Sequence, residues 1–400
     1  MRKQKRPSEQ INSSLSLVFD YDHTMSKWNE FESVFRGALG DIEIIEYRSE
    51  RIHPIKYTHN NQNTYFLTGA ITWLGEPHPA YKKRLQLKPW FKKFYEEYSV
   101  KENSEVRIVG VYRYDNQHIF VEFNAEDYKE NEFNNSSAHV YTNDLYHALT
   151  QDYFEKIDQK GNKIITIHSA KFKRYIDGDI EETNILDLFS KFNCTFPFDK
   201  WIPAVSAISE MKSNEWYQWK GTEWAGWFLE YLVNEFIQKE HCENTMKYIK
   251  NKRAGEIDLD LYFKNDNFYG DLKSSDIKKK TMPGNKKENV INAISLGKLW
   301  YIVYEHETKK DTDYNSEMAI ARMELKGIHY QEGDEIEYKS RMKHSVNFKK
   351  MFIFEVNDIN KHLLGDFTQG QNSDGNPREV KFNIPKAAFD NFIIYSYKPE

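Results

Sequence analysis

Cysteine is nearly missing from this chain: Cys194 and Cys242 are the two it has in 400 residues. That leaves no material for a disulfide framework or a cysteine-rich zinc site, and a reducing, cytoplasmic setting is expected. No run approaches the roughly 18 apolar residues of a membrane span, and no apolar signal-peptide core follows the basic stretch 1–7. There is no repeat of fixed period and no long low-complexity tract. Positive charge is not in excess either. The net charge of -5 excludes a uniformly basic nucleic-acid binder. It leaves room for local basic surfaces, because phosphate neutralisation depends on where charges lie. Lysines and arginines cluster at 82–84, 171–174, 247–253 and 278–280, runs that by themselves read as solvated faces.

Aromatic residues are abundant, with 26 Tyr, 26 Phe and 9 Trp, and they supply bulky core material. The length fits two domains. Up to about Gly178 the pattern is α+β. Segments 64–74, 106–114 and 118–124 are rich in β-branched and aromatic residues, and Asp115-Asn116-Gln117 makes a hairpin turn between the last two. Residues 89–98 and 142–149 read as helices and 164–167 as a strand. A boundary falls within 177–203, where Gly178, a run of acids, Pro197 and Pro203 interrupt the pattern. The expected division is an N-terminal domain 1–195 and a C-terminal domain 205–400. In the latter a long helix (215–239) precedes a strand (256–263), a turn (264–267), a second strand (268–274), a helix (288–297) and an apolar strand (299–304). Further strands are expected at 318–325 and 350–356. Helix, hairpin, helix, strand is an α/β layered arrangement.

The chemistry-bearing segment is the hairpin. Alternate residues of a strand share a face, so Glu256, Asp258 and Asp260 lie on one side of the first strand, and Asp271 and Lys273 on one side of the second. A four-residue loop pairs Phe263 with Phe268, which sets Asp260 opposite Asp271 and Asp258 opposite Lys273. Facing carboxylates repel. A hard divalent cation would remove that penalty, since Mg²⁺ takes one or two carboxylates plus waters and substrate phosphate. It would also polarise a phosphoryl oxygen. The face therefore suits hydrolysis of a phosphodiester, against the plainer reading of acids on a solvated sheet face.

These residues, in the form Ile-Asp258-(x12)-Asp271-Leu272-Lys273, resemble the PD-(D/E)xK nuclease superfamily, the group that includes many type II restriction endonucleases. The resemblance covers roughly 216–304 and departs from the pattern in having no Pro before Asp258. It implies a restriction-endonuclease-like C-terminal domain, a mixed central sheet flanked by helices. By that resemblance Asp258, Asp271 and the carbonyl of Leu272 would bind Mg²⁺, Lys273 would assist the attacking water, and Glu230 on the preceding helix would hold a metal-bound water or second ion. Asp260 on the same face as Asp258, and Glu223 on the same helical face as Glu230, stay open as alternatives. The expected function is a Mg²⁺-dependent, sequence-specific endonuclease acting on double-stranded DNA, with the N-terminal domain assisting recognition. Two cuts in a duplex call for a homodimer. A modification-dependent restriction or repair nuclease is the near alternative, and a non-catalytic DNA-binding protein retaining the fold is the distant one.

Three other signals are weaker. Asp20-Tyr-Asp22-His-Thr24 has the D-x-D-x-T form of haloacid-dehalogenase-like phosphatases, but no βαβ succession follows it. His139, His147 and His168 fall in different elements without ligand spacing. The tryptophans at 216, 219, 224 and 227 take helical spacing, as core packing does, with base stacking as the functional alternative.

Overall fold

The computed structural model describes residues 6–47, 53–129, 137–179, 185–250, 258–311, 316–334, 336, 343–368 and 379–399. It is mixed α/β and divides into two compact units, Met1–Glu182 and Thr183–Glu400. The division falls before the helix Leu186–Thr195, not after it as the expected boundary at 195 would have it. That helix sets Phe189 and Phe192 against Phe263 and Phe236 of the second unit.

In the first unit β1 (Ser8–Ile11) and β2 (Leu17–Asp20) form a hairpin, followed by α1 (Trp28–Leu39). A nine-stranded sheet takes in β3 (Glu43–Ile44), β4 (Ile55–His59), β5 (Gln62–Trp73), β6 (Lys82–Gln86), β7 (Ser104–Tyr114), β8 (Gln117–Phe123), β9 (Ser137–Tyr141), β10 (Tyr153–Ile157) and β11 (Lys163–His168). Around it lie α2 (Pro89–Tyr98), α3 (Ala125–Lys129), α4 (Thr142–Gln151) and α5 (Ser169–Ile176). The main path runs β10-β11-β8-β7-β5-β4-β3, with β6 leaving β5 to pair β9; β5 and β7 are parallel. Period-two alternation fills both faces. Phe66, Val109 and Phe120 join Phe35 of α1 and Phe172 of α5, while Leu67, Ile108 and Val121 join Phe91 and Phe94 of α2 and Leu145 of α4. The β7–β8 turn is two residues long, Asp115 and Asn116, both at positive φ, so Gln117 already belongs to the strand. That is the turn geometry hairpins favour.

The second unit begins with α6 (Leu186–Thr195), β12 (Trp201–Pro203), α7 (Ala204–Ser213) and α8 (Trp224–Lys239). Then come β13 (Met246–Tyr248), β14 (Leu261–Phe263), β15 (Phe268–Asp276), β16 (Thr281–Lys286), α9 (Lys287–Ile294) and β17 (Lys298–Lys309). The chain closes with α10 (Glu317–Leu325), β18 (Ser345–Asn357), β19 (Gly365–Phe367), β20 (Lys381–Pro385), α11 (Phe389–Phe392) and β21 (Ile393–Tyr397). The seven-stranded sheet runs β12-β18-β17-β15-β14-β13 with β21 on β18; β15 and β17 are parallel and the other pairs antiparallel. Leu299, Tyr301 and Val303 of β17 pack with Val290 of α9 and Phe392 of α11. From the alternate positions Trp300 meets Phe263 and Phe268, and Tyr304 meets Phe192 and Phe196. A separate three-stranded ribbon, β16-β20-β19, completes the unit.

Two expectations fail here. The helix expected over 215–239 starts only at Trp224: α7 ends at Ser213, Glu215 takes a positive φ, and 215–223 form turns before α8. Gly221, in that connection, leaves room for the Trp227 indole, whose Nε1 would lie 2.3 Å from an added Cβ. The strand expected at 318–325 is helix α10: the Ser316 hydroxyl accepts the Ala319 N–H at 3.1 Å, a cap that precedes a run of good helix formers. Among the described residues no helix is long and apolar enough to cross a membrane.

Candidate functional site

The β14–β15 hairpin pairs Phe263 with Phe268, Tyr262 with Tyr269 and Leu261 with Gly270, the register its four-residue loop requires. Ring stacking of Phe263 on Phe268 (4.5 Å) and their contacts to Trp300 hold it in place. One more ladder bond follows, from the Asp260 N–H to the Gly270 carbonyl (3.1 Å). There the strand ends in a bend. The Asp260 carboxylate takes over, its Oδ2 accepting the Leu272 N–H at 2.9 Å. An acid is thus drawn into the sheet edge as a hydrogen-bond acceptor, and 6 % of Asp260 remains exposed.

Asp271 stands next to it, 2 % exposed, and pairs with the Lys273 ammonium two residues along the same strand face. Burial first, and the Asp260 carboxylate second, push the Asp271 carboxyl up to about 7 in spite of Lys273. Burial works against the charge of Lys273, but Asp271, Asp260 and Glu230 outweigh it and raise the ammonium above its ordinary value. Glu230 comes from α8, buried, and accepts a hydrogen bond from the Tyr248 hydroxyl. The Tyr217 and Tyr248 hydroxyls lie 2.9 Å apart. Burial and Glu230 hold the Tyr248 phenol protonated, far above its ordinary range.

Asp258 does not take the place expected opposite Lys273. Strand pairing stops at Leu261, so the alternation that would have aimed Asp258 no longer applies, and the residue is exposed. Its carbonyl accepts the Asn285 side-chain amide at 3.0 Å. Glu256, on the same expected strand, lies outside the described residues. Glu223 sits at the start of α8 and pairs with Lys343 at 2.8 Å.

The four acids Glu230, Asp258, Asp260 and Asp271 open onto one cavity of about 540 Å³, together with Lys273, Lys286, Lys381, Asn285, Tyr217 and Trp227. Of these, Asp260, Asp271 and Lys273 lie against one another, with Glu230 next to them; Asp258 is on the rim. Sequence reasoning missed Tyr248, Asn285, Lys286 and Lys381, which come from other strands and carry no spacing signal relative to the hairpin.

The donor set bears on which cation could sit here. Among the described residues no three His, Cys, Asp or Glu side chains close round one point, so a caged zinc site does not fit. Two hard carboxylates, Asp260 and Asp271, with the Leu272 main chain between them in an open cavity, do fit a cation that keeps most of its waters. The charge balance agrees: three buried acids share Lys273.

The other candidates separate into ordinary structural roles. Asp20 accepts the Tyr114 hydroxyl (2.8 Å), whereas Asp22 turns to Lys83 (3.0 Å), so the D-x-D-x-T string forms no joint site. His147 is buried and stacked on Phe154 at 4.2 Å, and His168 lies 3.8 Å from Asp152. Trp216 and Trp224 are core residues, Lys212 and Lys220 lie over the Trp219 ring, and Trp227 reaches the cavity.

No curated protein matches the chain, and no solved structure does. Residues 62–176, under a third of the chain and all within the first unit, match the model of the family described as Methylase-associated X1. That description suggests a restriction–modification context.

Proposed function

We propose that the second unit is a Mg²⁺-dependent endonuclease of the restriction type, hydrolysing phosphodiester bonds of double-stranded DNA. The observation that carries the reading is the buried Asp260–Asp271–Lys273 cluster at the end of a bent hairpin, open to a cavity that Glu230 enters from the neighbouring helix. In this reading Asp260 replaces Asp258 as the first carboxylate, because it is the acid that touches Asp271. Asp260, Asp271 and the Leu272 carbonyl would hold the cation, which when bound supplies charge neutralisation and a more acidic water. Lys273 lines the same cavity as Asp271, and its ammonium can orient the attacking water and offset charge developing on the phosphoryl oxygens. Glu230, fixed by Tyr248, can accept a proton or hold a second water. The first unit, which contains the methylase-associated segment, would serve recognition, and a homodimer would supply the two active sites that a double-strand cut needs.

The test is cleavage of plasmid and phage DNA, methylated and unmethylated, with Mg²⁺ and with EDTA, by the wild-type chain and by Asp271→Ala and Lys273→Ala. Cutting that needs Mg²⁺ and is lost in both variants is expected. A wild type that cuts none of these DNAs, or variants that cut as well as it does, would sink the reading. Asp258→Ala beside Asp260→Ala decides between the two candidate acids, the larger loss being expected for Asp260.

A further inference from the structure

The wall of the cavity facing the acids is built by the ribbon of β16 and β20, and it carries charge of the other sign. The register passes from Pro283↔Asn383 to Lys286↔Lys381, three steps on one strand against two on the other. Without the bulge Lys381 would oppose Asn285; with it, Lys381 stands directly across from Lys286. Bulges of this kind re-aim side chains. Like charges directly opposite each other destabilise an antiparallel pair. Both lysines line the cavity. Lys286 is exposed and reaches Glu379, itself 67 % exposed, at 2.6 Å; an ion pair of that kind is worth little and exchanges readily. Lys381 is half-buried.

The ribbon is also held in place. The Asn285 side chain donates to the Asp258 carbonyl and its backbone N–H to the Tyr301 hydroxyl (3.2 Å). Gly284 lies flush against its neighbours: an added Cβ would sit 2.9 Å from the Phe382 carbonyl oxygen and 3.0 Å from the Tyr301 hydroxyl. The two ammonium groups therefore belong to a wall braced against the acid-bearing strand.

We infer that Lys286 and Lys381 form a phosphate clamp, seating a backbone phosphate of the bound strand beside the one that faces Asp260, Asp271 and Lys273. The inference rests on the proposed DNA substrate and gives these two lysines a role in binding, not in the chemical step. A phosphate between them replaces mutual repulsion with two charge-assisted contacts. It reads no base, so the clamp contributes affinity evenly across sequences.

The experiment is fluorescence anisotropy of the full chain on two short duplexes of unrelated sequence, in EDTA, across a NaCl series. Each phosphate neutralised contributes about 0.9 to the slope of log K against log salt. The double variant Lys286→Ala/Lys381→Ala, which gives up one clamped phosphate, is therefore expected to lower the slope by roughly one on both duplexes. Lys286→Arg/Lys381→Arg keeps the wild-type slope, and so does Lys361→Ala, which removes an exposed lysine paired with Asp358. A double variant with the wild-type slope, an equal drop in Lys361→Ala, or a wild type that binds neither duplex overturns the clamp. Thermal melting of each variant shows that it is folded. Mg²⁺ cleavage by the same preparations is scored separately. Absent cleavage with the expected slopes sinks the nuclease reading and leaves the clamp; cleavage with unchanged slopes does the reverse.

Discussion

Each unit sets a lysine against a buried or half-buried aspartate, Lys83 with Asp22 in the first and Lys273 with Asp271 in the second. The two aspartates titrate in opposite directions. Burial raises both, yet Asp22 ends below its ordinary value because it collects Lys83, the Gln10 amide (2.9 Å) and the Trp73 N–H (2.8 Å). Asp271 ends above because burial and the neighbouring Asp260 carboxylate outweigh Lys273, which serves several acids, while the Leu272 N–H goes to Asp260. The pairs are alike in composition and differ in satisfaction. A carboxylate supplied with donors locks a fold; one crowded by other acids and open to a cavity is, under the proposed nuclease reading, the one that would take a cation.

The largest expected effect breaks the comparison on activity. Asp271→Asn and Lys273→Ala should each reduce Mg²⁺-dependent DNA cutting by roughly 10²–10⁴-fold, the range for a positioned catalytic group, scored per folded protein. Asp22→Asn should leave the specific activity of folded protein unchanged. Activity lost in Asp22→Asn and retained in Asp271→Asn would reverse the assignment of the two pairs.

Stability reverses the order. Lys83 is fully buried, and Lys83→Ala removes the cation that faces Asp22 and Glu9. Breaking a buried pair by deleting one partner costs about 3–5 kcal/mol, to be read from the urea midpoint. Asp271→Asn, which relieves repulsion, should be neutral or stabilising in EDTA. A loss of several kcal/mol there would mean that Asp271 is a structural acid like Asp22.

A smaller effect sharpens the second pair. Tyr248 does not line the cavity but holds Glu230 and meets Tyr217, both of which do, so Tyr248→Phe tests whether that glutamate must be held. A loss of about tenfold in cutting is expected, in the range for a residue that orients a metal-site group. The cost in stability should be about 1 kcal/mol for each hydrogen bond of that hydroxyl, to Glu230 and with Tyr217. Unaltered cutting would remove Glu230 from the machinery.

Local patterns carried much of this structure in the sequence. The hairpin register was legible because its loop length and two phenylalanines fix it, and Asp271 and Lys273 share a strand face by period two alone. Strand Asp258 was misplaced because alternation holds only while pairing lasts, and the chain bends at Asp260, where a side chain replaces the ladder. Helix α10 occupies the strand expected at 318–325; the Ser316 cap is the local signal that starts it as a helix. Lys286 and Lys381 were out of reach: they meet through a β-bulge between segments far apart in sequence, and nothing in either segment announces the pairing.

The last contrast is in pH, and its sign differs between the pairs. In the absence of divalent cations Asp271 has a folded-state value of about 7, above the ordinary carboxylate value of 3.8. Its protonated form is the one the fold prefers, so its contribution is present below the unfolded value and is lost as pH rises through 7. Asp22 lies below the ordinary value; its contribution is present above that value and is lost as pH falls through the folded one. In EDTA the melting temperature of the wild type should therefore fall relative to Asp271→Asn between pH 4 and pH 8. Relative to Asp22→Asn it should rise from strongly acid conditions toward pH 5. Each kcal/mol is worth about 2–4 °C in units of this size, within the reach of calorimetry. Added Mg²⁺ at pH 8 should restore the wild type and leave Asp271→Asn where it was, because the cation replaces the proton as the partner of Asp271. If the wild-type and Asp271→Asn curves run parallel across this range, Asp271 ionises as an ordinary carboxylate and the crowding that marks the second pair off from the first is not felt in solution.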